Sequence, residues 1–156
     1  IEPALSAIQR EYTDDIRFVV HCGKAPAFKT LVCEHLTWQA GNEPDFISGF
    51  DIGLIPLPAD EFARGKSPIK ALQYAASQVA IIAAPEGAIK KILKNKECAL
   101  YAGTIEQWKD SLKNLIDDFE LRQKLANNAY QRFTETHTLE VVFEQILGIL
   151  SERQSK

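Results

Sequence analysis

The sequence predicts an α/β fold: a Rossmann-like, doubly wound parallel sheet of five or six strands followed by C-terminal helices. Short β-branched and aromatic runs alternate with helical patterns over the first two thirds of the chain, which indicates parallel strands joined by right-handed crossovers. From Thr104 onward the pattern is helical throughout. A chain of 156 residues is of ordinary length for one domain, so we expect a single domain over 1–156.

Five strands are predicted, each bounded by loop-forming residues. The first is a β-branched and aromatic run closed by Gly23, and the third ends in a turn between Pro56 and Pro58. The second is weaker because Glu34, His35 and Thr37 interrupt its apolar run. In order, the predicted strands are 16–22, a segment within 30–38, 51–57, 79–84 and 99–102.

Helices are predicted between these strands and after them. Ser67 is a good N-cap, Pro68 suits the first helical position, and Ile69, Leu72 and Ala76 recur on one helix face. A capping box at 104–107 opens the first of three C-terminal helices. The predicted helices are 2–12, 45–50, one opening at 67, 87–94, one opening at 104, 119–136 and 139–153, with a frayed end at 154–156.

Composition and charge exclude several classes of protein. A net charge of −3 argues against general nucleic-acid binding. Three scattered cysteines without a CxxC pair fit free thiols better than disulfides or a zinc site. No apolar run approaches ~18 residues and no signal peptide is visible, so we expect a cytoplasmic protein. The chain opens at Ile1 and contains no methionine, and we therefore expect it to be part of something larger.

Basic residues crowd the start of the helix that opens at Ser67. Arg64, Lys66 and Lys70 lie there, where the positive end of the helix macrodipole makes each cation cost a few tenths of a kcal/mol. A ligand with two phosphates would remove this conflict by meeting both the basic side chains and the free backbone amides. The alternative is a solvated charged loop, and this stretch alone does not decide between them.

Loops at the carboxyl ends of the strands are the expected ligand site of an open parallel sheet. These loops contain Gly23 and Lys24, the segment 58–66, and Glu86 with Gly87. Neither G-x-G-x-x-G nor a P-loop is present, and the histidines lack metal-ligand spacing. Adjacent strand residues point to opposite faces, which excludes His21 and Cys22 as a base and nucleophile pair. A receiver-type signalling domain needs an acidic pair after its first strand and an aspartate at the end of its third. It is excluded because Asp14 and Asp15 precede the first strand and Asp51 begins the third.

The segment FDIGLIPLPADEFARGKSPIKALQYAASQVAIIAAPEG resembles the C-terminal half of a GT-B fold glycosyltransferase of the large retaining group 1 family. The resemblance extends upstream, where Trp38 and Glu43 match a tryptophan and an acidic residue before the DIGL strand. Downstream, the helices after Thr104 are similar to that family's "EW, L, LI, D, LR, L" pattern. The resemblance therefore covers nearly the whole chain and implies the C-terminal half of a two-domain enzyme.

The resemblance also implies roles for individual residues. Lys66 and Lys70, with Arg64 beside them, would neutralise the donor diphosphate. Gln73 stands where most members have the second glutamate of E-x7-E, which holds the ribose hydroxyls, whereas the first glutamate falls at Gly65. Gln78 replaces the usual glycine. The residues that would lie in donor loops are Gly23, Lys24, Glu86 and Gly87.

Two functions follow from this resemblance. The first is the donor-binding half of a hexosyltransferase-type enzyme that uses a UDP- or GDP-linked sugar without a metal or other cofactor. Its acceptor-binding and catalytic residues are expected in a missing N-terminal domain, through which peripheral membrane association is allowed, and this chain alone would be inactive. The second is a degenerate, non-catalytic module for protein contact, which the absence of a side chain at Gly65 favours.

Overall fold

The computed structural model describes residues 1–154. The helices are α1 (Glu2–Tyr12), α2 (Glu43–Ile47), α3 (Glu61–Gly65), α4 (Ile69–Ala76), α5 (Ile89–Ile92), α6 (Ile105–Asp117), α7 (Phe119–Thr136) and α8 (Leu139–Gln154). The strands are β1 (Val19–Cys22), β2 (Glu34–Thr37), β3 (Ile52–Ile55), β4 (Ala80–Ala83) and β5 (Leu100–Tyr101).

The strand pairing confirms the predicted fold class, because every pair is parallel and helices connect most of the strands. β1 pairs with β2, while β3, β4 and β5 pair in that order. One feature differs from the expectation of a single continuous sheet. Among the described residues β1 and β3 do not pair, so the five strands form two parallel sheets.

The core has two sides, and β4 lies between them. On the α1–α6 side, Ile82 of β4 packs with residues of α1, α6 and α7. On the α4–α5 side, Ile81 of β4 packs with residues of α4 and α5. Adjacent strand residues point to opposite faces, so β4 is covered on both. All four of its residues are buried, as expected for the middle strand of a parallel sheet.

Several element boundaries differ from the predictions. β1 begins at Val19 rather than at residue 16, because a 3-10 turn at Thr13–Asp15 precedes an extended approach to the strand. α2 begins earlier than the predicted 45–50 because Pro44 occupies its first turn. α3 is not predicted by the pattern; its N-cap Asp60 accepts a hydrogen bond from the Ala63 amide at 2.7 Å. Residues 155 and 156 of the expected frayed end lie outside the described residues.

α4 packs on the sheet through small side chains. Ala71 and Ala75 are buried, whereas Ala76 is exposed, Ile69 is 53% exposed and Leu72 is half-buried. The face on which Ile69, Leu72 and Ala76 recur is therefore not the buried face, and the expectation that Leu72 and Ala76 face the sheet is wrong for Ala76. Methyl side chains let the helix backbone approach the sheet closely, and the Tyr74 ring packs beside the two alanines against Gly53.

α8 contacts α7 and leaves most of its large apolar side chains in solvent. The exposed ones are Leu139, Val142, Phe143, Ile146, Leu147, Ile149 and Leu150. Within the described part of the chain, no helix is both long enough and apolar enough to cross a membrane. Cys22, Cys33 and Cys98 are free thiols, as predicted.

α4 ends in a Schellman motif built around a non-glycine residue. The amide of Val79 donates to the carbonyl of Tyr74 at 3.0 Å, and the amide of Gln78 donates to that of Ala75 at 3.2 Å. Gln78 has a φ of 53°, in the left-handed region that favours glycine at this position. Its Nε2 donates to Asn127 Oδ1 at 3.2 Å, an exposed contact that offsets only part of the strain.

We expect Gln78→Gly to raise the free energy of unfolding by ~1 kcal/mol, because glycine adopts this φ without steric cost. The matched control is Gln78→Ala, which also removes the contact with Asn127 but keeps the Cβ. Chemical denaturation of the two variants measures the difference. Equal stability of the glycine and alanine variants would contradict backbone strain at this position.

Candidate functional site

A cavity of about 300 Å³ lies at the N-terminus of α4. Lys66 and Lys70 border it, and Glu86, from the loop after β4, faces it from another side. The remaining lining residues come from the segment that opens α4, from the end of β3 and from α5: Ile55, Leu57, Ser67, Pro68, Ile69, Ala71 and Ile89. The cavity thus has basic side chains at its border and an apolar wall behind them.

The N-terminus of α4 presents free backbone amides to this cavity. The helix begins at Ile69 with Pro68 as its N-cap, so the predicted cap at Ser67 is wrong. Pro68 lacks both an amide and a capping side chain, and its carbonyl accepts from Ala71 and Leu72. Within the described residues, the amides of Ile69 and Lys70 have no acceptor. Unpaired amides at the positive end of a helix favour an anion there.

Each lysine at the cavity has a neighbour that partly offsets its charge. The Lys66 Nζ lies 5.1 Å from the centre of the Phe62 ring, in a cation–π contact. Lys70 lies close enough to Glu43 that its charge lowers the pKa of that carboxyl. Both lysines are exposed, so they can reorient towards a ligand at low cost.

Glu43 is held in the ionised form by several hydrogen bonds. Its own backbone amide is the largest cause of its lowered pKa, followed by the indole of Trp38. Trp38 Nε1 donates to Glu43 Oε1 at 2.8 Å, and the amide of Gly41 donates to Oε2 at 3.2 Å. The two residues of the upstream resemblance therefore form one unit beside Lys70.

Gln73 lies one turn beyond Lys70 on α4, outside the residues that line the cavity. It is half-buried, and its Oε1 is fully buried without a hydrogen-bond partner among the described residues. His21 Nε2 is buried in the same unpaired state, and the His21 ring packs against Phe46 of α2 at 4.4 Å between centroids. Sequence reasoning assigned no role to His21, because a lone histidine carries no signal of its environment.

Gly87 has a structural role in the loop after β4. Its φ is 54°, and a Cβ at this position would lie 2.9 Å from the Arg64 carbonyl oxygen and 3.0 Å from that of Ala63. Only glycine fits this close approach to the end of α3. By packing there, Gly87 fixes the position of its neighbour Glu86, which faces the cavity.

Three other predicted site residues lie outside this cavity. Arg64 is exposed in the last turn of α3. Gly23 and Lys24 are exposed after β1, where the Lys24 carbonyl accepts a hydrogen bond from the Cys22 thiol. Of the predicted residues, the cavity therefore brings together Lys66, Lys70 and Glu86.

A second cavity, of about 290 Å³, lies between α7 and the segment before β5. Its polar groups already have partners, because Arg132 donates to the carbonyls of Ile92 and Lys91, and Asn128 donates to that of Glu97. It therefore offers few free groups to a ligand. In the part of the chain that the structure describes, no cluster of three or more His, Cys, Asp or Glu side chains could hold a metal ion.

A family model described as "Glycosyl transferase-like" matches residues 2–148. No curated protein sequence matches the chain. Among solved structures, the chain resembles the C-terminal domain of a glycosyl transferase group 1 family protein (LpcC) from Francisella tularensis, with 28% identity and a TM-score of 0.59. That match covers 69% of this chain and 54% of that one.

The chain also resembles Alr3699/HepE of Anabaena, solved in complex with UDP-glucose. The TM-score is 0.69 at 12% identity, over 96% of this chain and 53% of that one. A second structure of the same protein, with UDP and glucose, gives a TM-score of 0.59 at 19% identity. That match covers 76% of this chain and 32% of that one. At these identities the likeness concerns the fold. The chain spans about half the length of the solved LpcC C-terminal domain and of the first HepE structure.

We expect the Trp38 indole N–H resonance to follow the protonation of Glu43, with a midpoint below the ordinary pKa of glutamate. Stability contributed by this lowered pKa is present above the unfolded value and is lost as the pH falls through the folded value. Lys70→Ala should move the midpoint upward, because it removes a nearby positive charge. Lys24→Ala is the matched control, and a midpoint that neither variant moves would place Lys70 away from Glu43.

Proposed function

We propose, from the premise that the chain belongs to the glycosyl transferase-like family, that it binds the nucleoside-diphosphate sugar donor of a glycosyltransferase. The expected resemblance to the C-terminal half of a group 1 enzyme is confirmed by the family match and the likeness to LpcC. The single observation that carries the proposal is the cavity at the N-terminus of α4, where Lys66 and Lys70 lie beside the unpaired amides of the first helical turn.

The diphosphate of the donor would sit against the start of α4. There the free amides of Ile69 and Lys70 and the helix dipole face the ligand together with the ammonium groups of Lys66 and Lys70. Negative charge accumulates on the diphosphate as it leaves the sugar, and these groups would stabilise it without a metal ion. We propose UDP or GDP as the nucleotide, and no resident cofactor.

The ribose would lie farther along α4, beside Gln73. The unpaired, buried Oε1 of Gln73 supports this placement, because an amide oxygen in that state lacks the hydrogen bond that a ribose hydroxyl can donate. Gln73 lies three residues after Lys70, on a neighbouring part of the helix surface. A nucleotide whose phosphates bind at the helix start can therefore reach it.

The whole enzyme would transfer a hexosyl group from this donor to an acceptor. Acceptor binding and catalysis would require a second, N-terminal domain on the other side of the donor, so we propose that this chain alone transfers no sugar. The two-domain organisation, the cytoplasmic location and peripheral membrane association through that other domain belong to the same proposal.

A non-catalytic role in protein contact is the second candidate. The exposed apolar side chains of α8 favour it, because contiguous apolar surface marks interaction sites. The missing side chain at Gly65, where the first glutamate of E-x7-E would fall, is consistent with it. Titration of the chain with UDP and GDP separates the two candidate functions, because a module used only for protein contact should bind neither nucleotide.

We expect the double variant Lys66→Ala, Lys70→Ala to weaken UDP or GDP binding by about 1–3 kcal/mol, a range that allows for the solvent screening of two exposed side chains. Isothermal titration calorimetry measures the change, and the affinity of the unmodified chain should fall as salt rises. The control is the double variant Lys29→Ala, Lys124→Ala, which removes the same charge from exposed positions outside the cavity. If both double variants bind alike, the lysines belong to a solvated loop.

We expect Gln73→Leu to lower nucleotide affinity by ~1–3 kcal/mol, because it leaves ribose hydroxyls unpaired, while Gln73→Glu keeps or tightens binding. Pyrophosphate, which lacks the nucleoside, is the control ligand, and its affinity should not change in either variant. Equal UDP affinity of all three proteins would reject Gln73 as the ribose ligand.

A further inference from the structure

Behind its basic border, the cavity at the N-terminus of α4 has an aliphatic wall, formed by Ile55, Leu57, Ile69 and Ile89. Ile55 and Ile89 are buried and Leu57 is half-buried, so the fold holds these side chains in place. Ile69 is 53% exposed, which leaves a large aliphatic side chain uncovered in the first turn of the helix. The polar side chains of the lining are Lys66, Ser67, Lys70 and Glu86. A ligand in this cavity therefore meets more aliphatic than polar surface.

The group that enters the cavity follows from the placement of the donor, so this inference rests on the proposed function. A nucleotide sugar has a nucleoside on one side of its diphosphate and a sugar on the other. Gln73, the proposed ribose ligand, lies outside the lining of the cavity, whereas the diphosphate is proposed to sit at the start of α4. With the nucleoside running along the helix towards Gln73, the sugar is the part that occupies the cavity.

Glu86 is suited to contact a sugar and not a phosphate. Its carboxylate would repel the charge of a diphosphate, but it can accept hydrogen bonds from hydroxyl groups. The residue is half-buried, and it follows the buried strand β4 in a loop that Gly87 fixes against α3. Its position is therefore set by the backbone. A sugar between the phosphates and Glu86 would place ring hydroxyls on this carboxylate.

The aliphatic wall offers a hexose no side-chain partners for its hydroxyls. A hexosyl group carries a hydroxyl on each free ring carbon and another on C6, and a hydroxyl that loses water without gaining a partner weakens binding. Backbone groups of the wall are engaged elsewhere, since the Ile55 carbonyl accepts from the Ala84 amide and the Ile89 amide donates to the Glu86 carbonyl. The edge of the sugar that meets this wall should therefore carry an apolar group.

We propose that the sugar of the donor is a 6-deoxyhexose, whose methyl group on C5 packs against the aliphatic wall while its ring hydroxyls face Glu86. Replacing the hydroxymethyl group by a methyl group removes the hydroxyl that is not on the ring and leaves the others free to bind. An acetamido group is the other common source of a methyl group in sugars, but its N–H and C=O would stay unpaired against this wall. The cavity therefore favours a nucleoside-diphosphate 6-deoxyhexose over a hexose or an N-acetylated sugar.

The test compares donors that differ in a single hydroxyl, the one on C6. Isothermal titration calorimetry of the full chain measures UDP-6-deoxyglucose against UDP-glucose and GDP-6-deoxymannose against GDP-mannose, with UDP, GDP and UDP-N-acetylglucosamine as further ligands. For the nucleotide that binds, we expect the 6-deoxy donor to bind about ten- to hundredfold more tightly than its hydroxylated partner, the range by which an apolar pocket discriminates against an added hydroxyl.

A variant of the aliphatic wall tests the same preference from the side of the protein. Ile69→Thr puts a hydroxyl into the wall with little change of shape, and we expect it to lower the ratio of the two affinities severalfold. The matched control is Ile105→Thr, because Ile105 is likewise the first residue of a helix, is 44% exposed and lies outside the lining of the cavity. Since each protein is judged by a ratio within one pair of donors, any general change in diphosphate binding cancels.

Equal affinities within both pairs, while UDP or GDP still binds, would overturn the 6-deoxyhexose assignment and leave the donor site standing. The same conclusion would follow from tighter binding of UDP-N-acetylglucosamine than of UDP-6-deoxyglucose, or from a ratio that Ile69→Thr and Ile105→Thr change alike. A chain that binds no nucleotide and no nucleotide sugar would overturn the proposed function and this inference together.

Discussion

The burial of β4 on both of its faces is the constraint on which the rest of the structure depends. Ile81 and Ile82 are each 0% exposed and belong to opposite sides of the core. One face requires α1, α6 and α7 to cover it, and the other requires α4 and α5. Because burial of one such side chain contributes ~1.5–3 kcal/mol, this short apolar strand organises the layers on both sides.

The packing of α4 on this sheet also positions the candidate site. Ala71 and Ala75 bring the helix close to the sheet, and the Tyr74 ring lies against Gly53, where a Cβ would be 2.6 Å from it. So close a contact fixes the direction of the helix axis, and with it the place where the N-terminal amides emerge. The same packing demands a tight C-terminal turn, which Gln78 makes with a left-handed φ. The close packing of α4 on the sheet thus accounts both for the position of its N-terminal amides and for the strained backbone at Gln78.

The sequence predicts the fold class and the order of elements, because these depend on periodicity and on loop chemistry, and a cavity lies where the basic residues lead us to expect a ligand. It does not predict which face of α4 is buried, since Ile69 is more apolar than Ala71 but the close approach of the helix favours the smaller residue. It does not predict α3, a five-residue helix too short for periodicity to reveal. It also does not predict that the strands form two sheets, because each strand appears complete by itself and only the pairing shows that β1 and β3 are not neighbours.

The three basic residues Arg64, Lys66 and Lys70 do not form a simple cluster of positive charge at the start of one helix. Arg64 lies in the last turn of α3, where the macrodipole is negative and a cation is stabilising. Lys66 rests over Phe62, and Lys70 lies near Glu43. Each cation is thus partly compensated without a ligand, so the basic residues do not by themselves demand an anion. The stronger argument for an anion comes from the unpaired amides at the start of α4, which need an acceptor. The buried Oε1 of Gln73 instead needs a hydrogen-bond donor, and the ribose of a nucleoside diphosphate would supply one.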